Sequence, residues 1–545
     1  MGGQTIGETS GRERLSRIGA AVNPAAMHAE TVDGTNPLAV ADAVGRKRAL
    51  LVSGQGPVLL DVECYRLVGH STTDANAYRT QDELRAWEEQ DPIKLYATVL
   101  REEGVIDADT EATLRNEVTT RIRAVAAAVV NPAAAPPVDI NSDPILIGKS
   151  MFSRTQTELS PKPIGLTVLP ESSRMSQLAS KSRFGISEDG EKLSSRQAIT
   201  IRDSLFEAIL YHFAHDERLI AYGEECREWG GAFGVYRGLS DILPYHRLFN
   251  APISEAAIIA SAVGYAIEGG RALVELMYAD FIGRAGDEIF NQMPKWRAMS
   301  GGLIDVPLVL RCSVGSKYGA QHSQDWTSLI AHIPGLILLY PATPYDAKGL
   351  LASALSGNDP VVFFESQRLY DTVELFREGG VPSDYYRITI GEPDIKRQGE
   401  DVTILTIGPS LYPAIAAAEQ LQASFSISAE VIDARSLVPF NYDPVLRSVK
   451  KTGRILLVSE ACERGSFLMT LATNINRFAF GHLKAPPRVL GAPNWIVPGA
   501  EMEKTYFPQA TDLVAVVCRE LVPEAKTDLR GVRDWDEAQL ARLAL

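Results

Sequence analysis

The chain has 545 residues, 45% of them hydrophobic and 22% charged, and a net charge of -14. That length accommodates roughly three or four domains of about 150 residues each, and the balance is that of a folded globular protein, against disordered or fibrous classes. The acidity argues against a nucleic-acid binder, and no apolar run approaches the roughly 18 to 20 residues that span a bilayer.

Five cysteines (Cys64, Cys226, Cys312, Cys462, Cys518) lie far apart and form no Cys-x-x-Cys pair, so a disulfide framework or zinc site is not expected and a reducing compartment is. The start, Met1-Gly2-Gly3-Gln4-Thr5-Ile6, has no basic or apolar targeting region, and Ile6 stands where a myristoylation signal wants Ser or Thr. Cytoplasm is the expected location.

The opening offers no strand to seed a sheet. Apolar spacing at Leu38, Val40, Val44 and Leu50 predicts a helix over about 36–51, then a strand over 58–64, a loop over 65–80, and helices near 81–89, 92–103 and 110–130. This block reads as the second half of an α/β domain. A stretch rich in Pro, Ser, Lys and Thr follows over 132–195; with so little apolar surface it reads as an extended linker lying across its neighbours.

Beyond the linker, 196–375 alternates helices (196–213, 254–268, 284–299, 325–332, 345–356) with apolar strands (219–222, 272–276, 306–312, 336–340, 361–365). Such alternation predicts a doubly wound parallel sheet covered on both faces. A third unit, 376–545, repeats the style with strands 402–407, 429–433 and 455–459 and helices near 411–422, 442–449, 467–478 and 510–521. The overall expectation is an α/β protein.

Two loops follow predicted strands and carry histidines: Tyr65-Arg66-Leu67-Val68-Gly69-His70-Ser71, and Gly315-Ser316-Lys317-Tyr318-Gly319-Ala320-Gln321-His322-Ser323-Gln324. Ligands of open α/β sheets bind at such carboxyl ends. Singly, each imidazole is as consistent with an ordinary loop residue. Glu255 follows Ser254, a candidate N-cap, and its bland role is to complement the helix dipole; its other role is a carboxylate on a cofactor ring nitrogen. Lys317 suggests phosphate or carboxylate binding, yet no Gly-x-x-x-x-Gly-Lys-[Ser/Thr] or Gly-x-Gly-x-x-Gly occurs, and the other histidines lack metal-ligand spacing. Tyr278 and Phe281 suit stacking on a flat heterocycle, or core packing.

With these residues in view, the chain resembles the thiamine-diphosphate-dependent decarboxylating component of the 2-oxo acid dehydrogenases, with α and β subunits fused. Residues 29–131, with Tyr65 to Ser71 and Tyr78-Arg79-Thr80, resemble the end of the α subunit. Residues 196–370, with Pro252 to Ile258, Met277-Tyr278-Ala279-Asp280-Phe281 and Gly319 to Gln324, resemble the pyrimidine-binding half of the β subunit. Residues 400–521, with Val431 to Leu437 and Lys451-Thr452-Gly453-Arg454, resemble its transketolase-type C-terminal domain.

The resemblance implies a cofactor, thiamine diphosphate with Mg2+, and a glutamate, Glu255, that favours the imino tautomer of the aminopyrimidine so that its nitrogen removes the thiazolium proton. It implies that His322 and His70 line the site and assist proton transfer and acyl delivery to a lipoyl arm, and that Tyr278, Phe281, His70, Ser71 and Arg66 contact the cofactor. Ser71 matches a serine phosphorylated in some mitochondrial relatives. No metal ligand is assigned, because the family's Gly-Asp-Gly motif is absent and Val32-Asp33-Gly34 resembles a strand end beyond it, from which an N-terminally shortened α part is expected. The implied partners are a 2-oxo acid, a lipoylated acyltransferase core and a second copy of the chain. Two alternatives stay open: a transketolase-like carbon-carbon ligase, and a catalytically silent chain that cannot hold the diphosphate.

Overall fold

The computed structural model of the protein describes residues 10–525, apart from 12, 72, 138, 140, 165, 167–172 and 316. Positions 1–9, with the opening Met1-Gly2-Gly3-Gln4, and Thr72 and Ser316 of the two histidine loops lie outside the described residues. The chain divides into two units, Met1–Val138 and Asp139–Leu545.

The first unit is built on two parallel strands, β1 (His28–Asp33) and β2 (Val58–Glu63), which pair from His28 opposite Val58 to Asp33 opposite Glu63. β1 corrects the expectation that the opening holds no strand: His, Glu, Thr and Asp dilute its apolar residues, so no alternation registers, and pairing with the apolar β2 fixes it. Between the strands runs the helix Pro37–Val52. Its start is set by Asn36, whose side chain accepts the N–H groups of Leu38 and Ala39, and by Pro37, whose fixed φ suits the first helical position. Helices Gln81–Glu89, Pro92–Glu102 and Ala108–Val130 follow, capped by Thr80, Asp91 and Asp107.

The second unit opens with the stretch expected as a linker. It carries short helices at Leu146–Met151 and Ser173–Ala179, and between them Ser153 and Arg154 donate their N–H groups to the Asp359 carboxylate at 2.6 and 3.0 Å. The strands come next in chain order: β3 (Leu219–Gly223), β4 (Leu248–Asn250), β5 (Arg271–Leu276), β6 (Leu308–Val314), β7 (Ile337–Leu339), β8 (Val361–Ser366), β9 (Asp394–Arg397), β10 (Val402–Thr406), β11 (Ala429–Asp433), β12 (Ser436–Val438), β13 (Ile455–Cys462) and β14 (Arg488–Ala492). Among the described residues they form a seven-stranded sheet, β12-β7-β8-β6-β5-β3-β4, and a five-stranded sheet, β14-β13-β10-β11-β9. All pairings are parallel except β12 on β7 and β9 on β11. The mostly parallel, doubly wound arrangement expected from the sequence is the one the larger sheet forms.

Both faces of the larger sheet are covered, and the strands show why. In β8, Val361 and Phe363 point into one core with the helices Ile201–His215 and Pro344–Ser356, while Val362 and Phe364 point into the other with Glu255–Ile267. Burying each phenylalanine contributes about 1.5–3 kcal/mol. The helix expected over 284–299 is instead a 3-10 turn, Ala279–Ala285, a π turn, Glu288–Gln292, and a helix, Met293–Met299. Pro294 has no N–H for the carbonyl of Phe290, and the wider turn before it absorbs that mismatch.

Candidate active site

The parallel strands of the larger sheet deliver their following residues to one edge. Glu224 follows β3, Glu255 comes shortly after β4, Tyr278 and Phe281 follow β5, the 315–324 loop follows β6, and Gln367 and Arg368 follow β8. This is the edge where open α/β sheets bind ligands.

Glu255 begins the helix Glu255–Ile267 and is half-buried. Ser254 occupies the cap position with φ -168° and ψ 68°, and its hydroxyl makes no cap bond, which corrects its expected capping role. The Glu255 carboxylate forms no hydrogen bond or ion pair among the described residues. Its electrostatic neighbour is Glu224, whose carboxyl is pushed up first by burial and then by the charges of Glu255 and Glu225.

One strand over, the rings gather. The His322 imidazole stands edge-on to Tyr278 at 4.5 Å and to Phe281 at 5.5 Å between centroids. Phe233 meets Tyr278 edge-on at 5.8 Å, and Tyr318 lies 6.0 Å from both Tyr278 and Phe233. Tyr278, Phe281 and His322 thus stand together at this edge. No ring contact or hydrogen bond joins them to Glu255 among the described residues.

The His322 loop is held from several elements. Lys317 sits at φ 100°, rare for a residue with a side chain, and its N–H is fixed by the Glu503 carboxylate. Tyr318 donates its N–H to Ser323 Oγ at 2.9 Å, Gln324 donates its N–H to Asp280 Oδ1 at 3.3 Å, and the Gln367 carboxamide donates to the His322 carbonyl at 2.7 Å. Burial pushes the Asp280 carboxyl up, opposed by the Trp326 indole and the Gln324 N–H. The Lys317 ammonium lies 6.0 Å from the Tyr318 ring.

Beneath the rings lies a buried ionic triad. Arg311 on β6 holds both Glu365 oxygens, each at 2.6 Å, and donates to Glu275 Oε2 at 2.7 Å. Tyr370 donates its hydroxyl to Glu365 at 2.8 Å, and Glu275 Oε1 accepts the Ala232 N–H at 2.9 Å, which ties the Phe233 loop to the sheet. Gly231 makes that approach possible: at φ 81°, a Cβ there would stand 2.7 Å from Glu275 Oε1.

Sequence reading missed Glu224, Phe233 and Gln367. Glu224-Glu225 reads as surface charge and Phe233 as the end of a Gly-Gly turn; only the strand order brings them to the edge.

In the first unit, His70, Ser71 and Arg66 form a local cluster. Arg66 donates to His70 Nδ1 at 3.3 Å and to the His70 carbonyl at 2.8 Å. A guanidinium can only donate, so Nδ1 is the acceptor and the neutral ring carries its proton on Nε2. Asp74 organises the loop: it accepts the His70 N–H and the Tyr78 hydroxyl, each at 2.7 Å, and the Asn76 N–H at 2.9 Å. The Tyr78 bond, then the Asn76 and His70 N–H groups, lower its carboxyl to about 2. Ser71 Oγ is 3.1 Å from Thr73 Oγ1 and exposed.

A flat heterocycle fits this chain's second unit: a partnerless half-buried carboxylate and a group of rings stand at the same sheet edge. A divalent metal does not find a ready seat, because among the described residues no group of three or more His, Cys, Asp or Glu side chains could hold one. No helix of the described residues is long and apolar enough to cross a membrane.

Comparison with known proteins gives three family matches in chain order: "Dehydrogenase E1 component" over residues 14–137, "Transketolase, pyrimidine binding domain" over 197–372, and "Transketolase, C-terminal domain" over 391–513. The chain is 40% identical over 332 residues to the acetoin:2,6-dichlorophenolindophenol oxidoreductase subunit beta of Cupriavidus necator, covering 58% of this chain and 96% of that one. It is 35% identical over 322 residues to the 2-oxoisovalerate dehydrogenase subunit beta of Bacillus subtilis (58% and 97%). It is 33% identical over 318 residues to the pyruvate dehydrogenase E1 component subunit beta of Bacillus subtilis (58% and 96%).

Proposed function

Because the chain belongs to the thiamine-diphosphate-dependent decarboxylating components of the 2-oxo acid dehydrogenases, with α-type and β-type parts fused, we propose that it oxidatively decarboxylates a 2-oxo acid, pyruvate or a branched-chain one, and passes the acyl group to the lipoyl arm of an acyltransferase core. The observation that carries this reading is Glu255, a half-buried carboxylate at the sheet edge with no hydrogen-bond or ion-pair partner among the described residues.

When bound, thiamine diphosphate supplies an electron sink for the pair released as carbon dioxide leaves. Glu255 holds the proton at the aminopyrimidine ring nitrogen, a role that needs an acceptor not already spent on an arginine or a backbone N–H. Tyr278 and Phe281 would line the seat of the heterocycle and keep water from it. His322, braced by those rings and by Gln367, moves a proton at the substrate oxygen. His70 presents its Nε2–H for the acyl-transfer half, and Arg66 and Ser71 line the same loop. The acting unit is a homodimer or larger assembly in the cytoplasm.

A second reading is favoured by the 40% identity to the acetoin:2,6-dichlorophenolindophenol oxidoreductase subunit beta: oxidation of a 2-hydroxy ketone at the same Glu255 edge, with dichlorophenolindophenol taking the electrons. Both readings are tested in one assay, with pyruvate, a branched-chain 2-oxo acid or acetoin as substrate and dichlorophenolindophenol as electron acceptor. Turnover that requires thiamine diphosphate and is lost in Glu255→Ala supports the mechanism, and the preferred substrate separates the two. Turnover of sugar phosphates instead would mark a transketolase-like ligase. A flat calorimetric titration with thiamine diphosphate and Mg2+ would mark a silent chain.

A further inference from the structure

The second unit holds a cavity of about 860 Å3 lined by none of the residues placed in the candidate active site. It lies at the other end of the strands: Ile337 and Val361, which begin β7 and β8, form part of its floor. Its remaining walls are Phe152 and 154–156 of the linker, the end of the helix Pro344–Ser356 with Gly357 and Asp359 beyond it, segment 387–390, which leads toward β9, and Pro439.

These walls are fastened to one another. Asp359 accepts the Ser153 and Arg154 N–H groups, Asn358 donates its N–H to the Thr155 carbonyl at 3.2 Å, and Gln156 bridges Gly357. On the other side Ile388 donates its N–H to the Gly349 carbonyl at 3.1 Å, and the Ser353 hydroxyl donates to the Ile388 carbonyl at 2.6 Å. The hollow is therefore part of the built structure, not slack between loops.

The lining has two chemistries. The floor is apolar, with Phe152, Ile337, Ala354, Val361, Ile388 and Ile390, whereas Arg154 and Arg387 are exposed at the rim. Arg387 donates to Gln156 Oε1, and the Arg154 guanidinium has no hydrogen-bond or ion-pair partner among the described residues. The acid of the lining, Asp359, is buried and accepts two backbone N–H groups, and among the described residues it forms no ion pair with either arginine. Guanidinium forks recognise carboxylates, and an apolar floor of this size accepts a small organic body; about 300–1,000 Å3 is the usual range for such sites.

We propose that this cavity is a second binding site, for an organic acid with an apolar body of medium length, held by Arg154 and Arg387 at its carboxylate. Such a ligand touches the linker, the sheet and the segment before β9 at once, so its occupancy couples the three and raises the temperature at which the second unit melts.

The test is calorimetric titration of the whole chain with octanoate, using octan-1-ol as the apolar control. Saturable octanoate binding is expected, at least about tenfold tighter than octanol and weakened at least about tenfold in Arg154→Glu/Arg387→Glu. Both arginines are exposed, so that variant keeps its ligand-free melting temperature. Thr389→Trp, placed at an exposed lining residue, should weaken octanoate binding by taking up part of the cavity. Glu255→Ala should bind octanoate like the unaltered chain, which keeps the outcome independent of the decarboxylase reading. Absence of saturable binding, equal affinity in the double arginine variant, or loss of binding in Glu255→Ala would overturn the proposal.

Discussion

Gln367 donates its carboxamide N–H to the His322 carbonyl oxygen at 2.7 Å, so the turn after β8 sets the position of a histidine carried by the turn after its neighbour β6. Gln367 is buried, and this bond fixes the loop at the residue whose side chain faces Tyr278 and Phe281. Gln367→Leu should leave the fold intact at a cost of about 1–2 kcal/mol and lower kcat about tenfold to a hundredfold with little change in KM. Steady-state kinetics beside urea denaturation checks this; a normal kcat would show that the loop holds itself.

Arg311 is fully buried between Glu275 and Glu365. Removing it strands two carboxylates, and Arg311→Leu should cost about 3–5 kcal/mol by urea denaturation. Replacing all three residues with apolar ones of similar volume should recover part of that loss, since the charges leave together while the Tyr370 hydroxyl and the Ala232 N–H lose their acceptors.

Glu460 predicts a pH dependence. Burial pushes its carboxyl up to about 7, against the pull of Arg368 and with the push of Asp325 and Glu503. The folded protein therefore keeps the proton longer than the unfolded chain, and this group's contribution is complete below the ordinary glutamate value and lost as pH rises through about 7. Stability should fall between pH 5 and 8 by on the order of 2 kcal/mol from this group, and Glu460→Gln should flatten the decline. Melting temperatures across that range measure it. A steeper decline in the variant would contradict the assignment.

In the first unit, Arg66 dictates which nitrogen of His70 carries the proton. Nitrogen-15 spectra of the neutral ring should show protonated Nε2, and Arg66→Ala should give a mixture of tautomers. Acyl transfer should slow more in that variant than decarboxylation measured with an artificial electron acceptor.

The sheet was legible where strands open on apolar runs, as in β6 (Leu308 to Leu310), β8 (Val361 to Phe364), β10 and β13 (Ile455 to Val458), because burial on both faces favours apolar residues at successive positions. It was illegible where pairing rather than composition makes the strand. β1 is polar at four of its six positions, and β4 and β12 have three residues each, without the apolar flanks, Leu336 and Tyr340, that extend β7. The turns over 279–292 were hidden for a related reason: their composition is helical, and Pro294 alters the hydrogen bonding without altering the pattern. In the candidate site, Glu255, Tyr278, Phe281 and His322 each carry a local signal, a first-turn acid or an aromatic beside a small-residue loop. Glu224, Phe233 and Gln367 carry none, since their meaning comes from which strands are neighbours.

β12, three residues beyond the five-stranded sheet's own β11, completes the edge of the seven-stranded one through Ser436 opposite Leu339 and Val438 opposite Leu338. A chain severed before β9 would leave β7 as a bare edge and the departing piece with an orphan ribbon, each ready to zip onto a stranger. Excising the transketolase-type half for separate study thus invites aggregation, and calorimetry of the intact second unit should record one shared melting event rather than two.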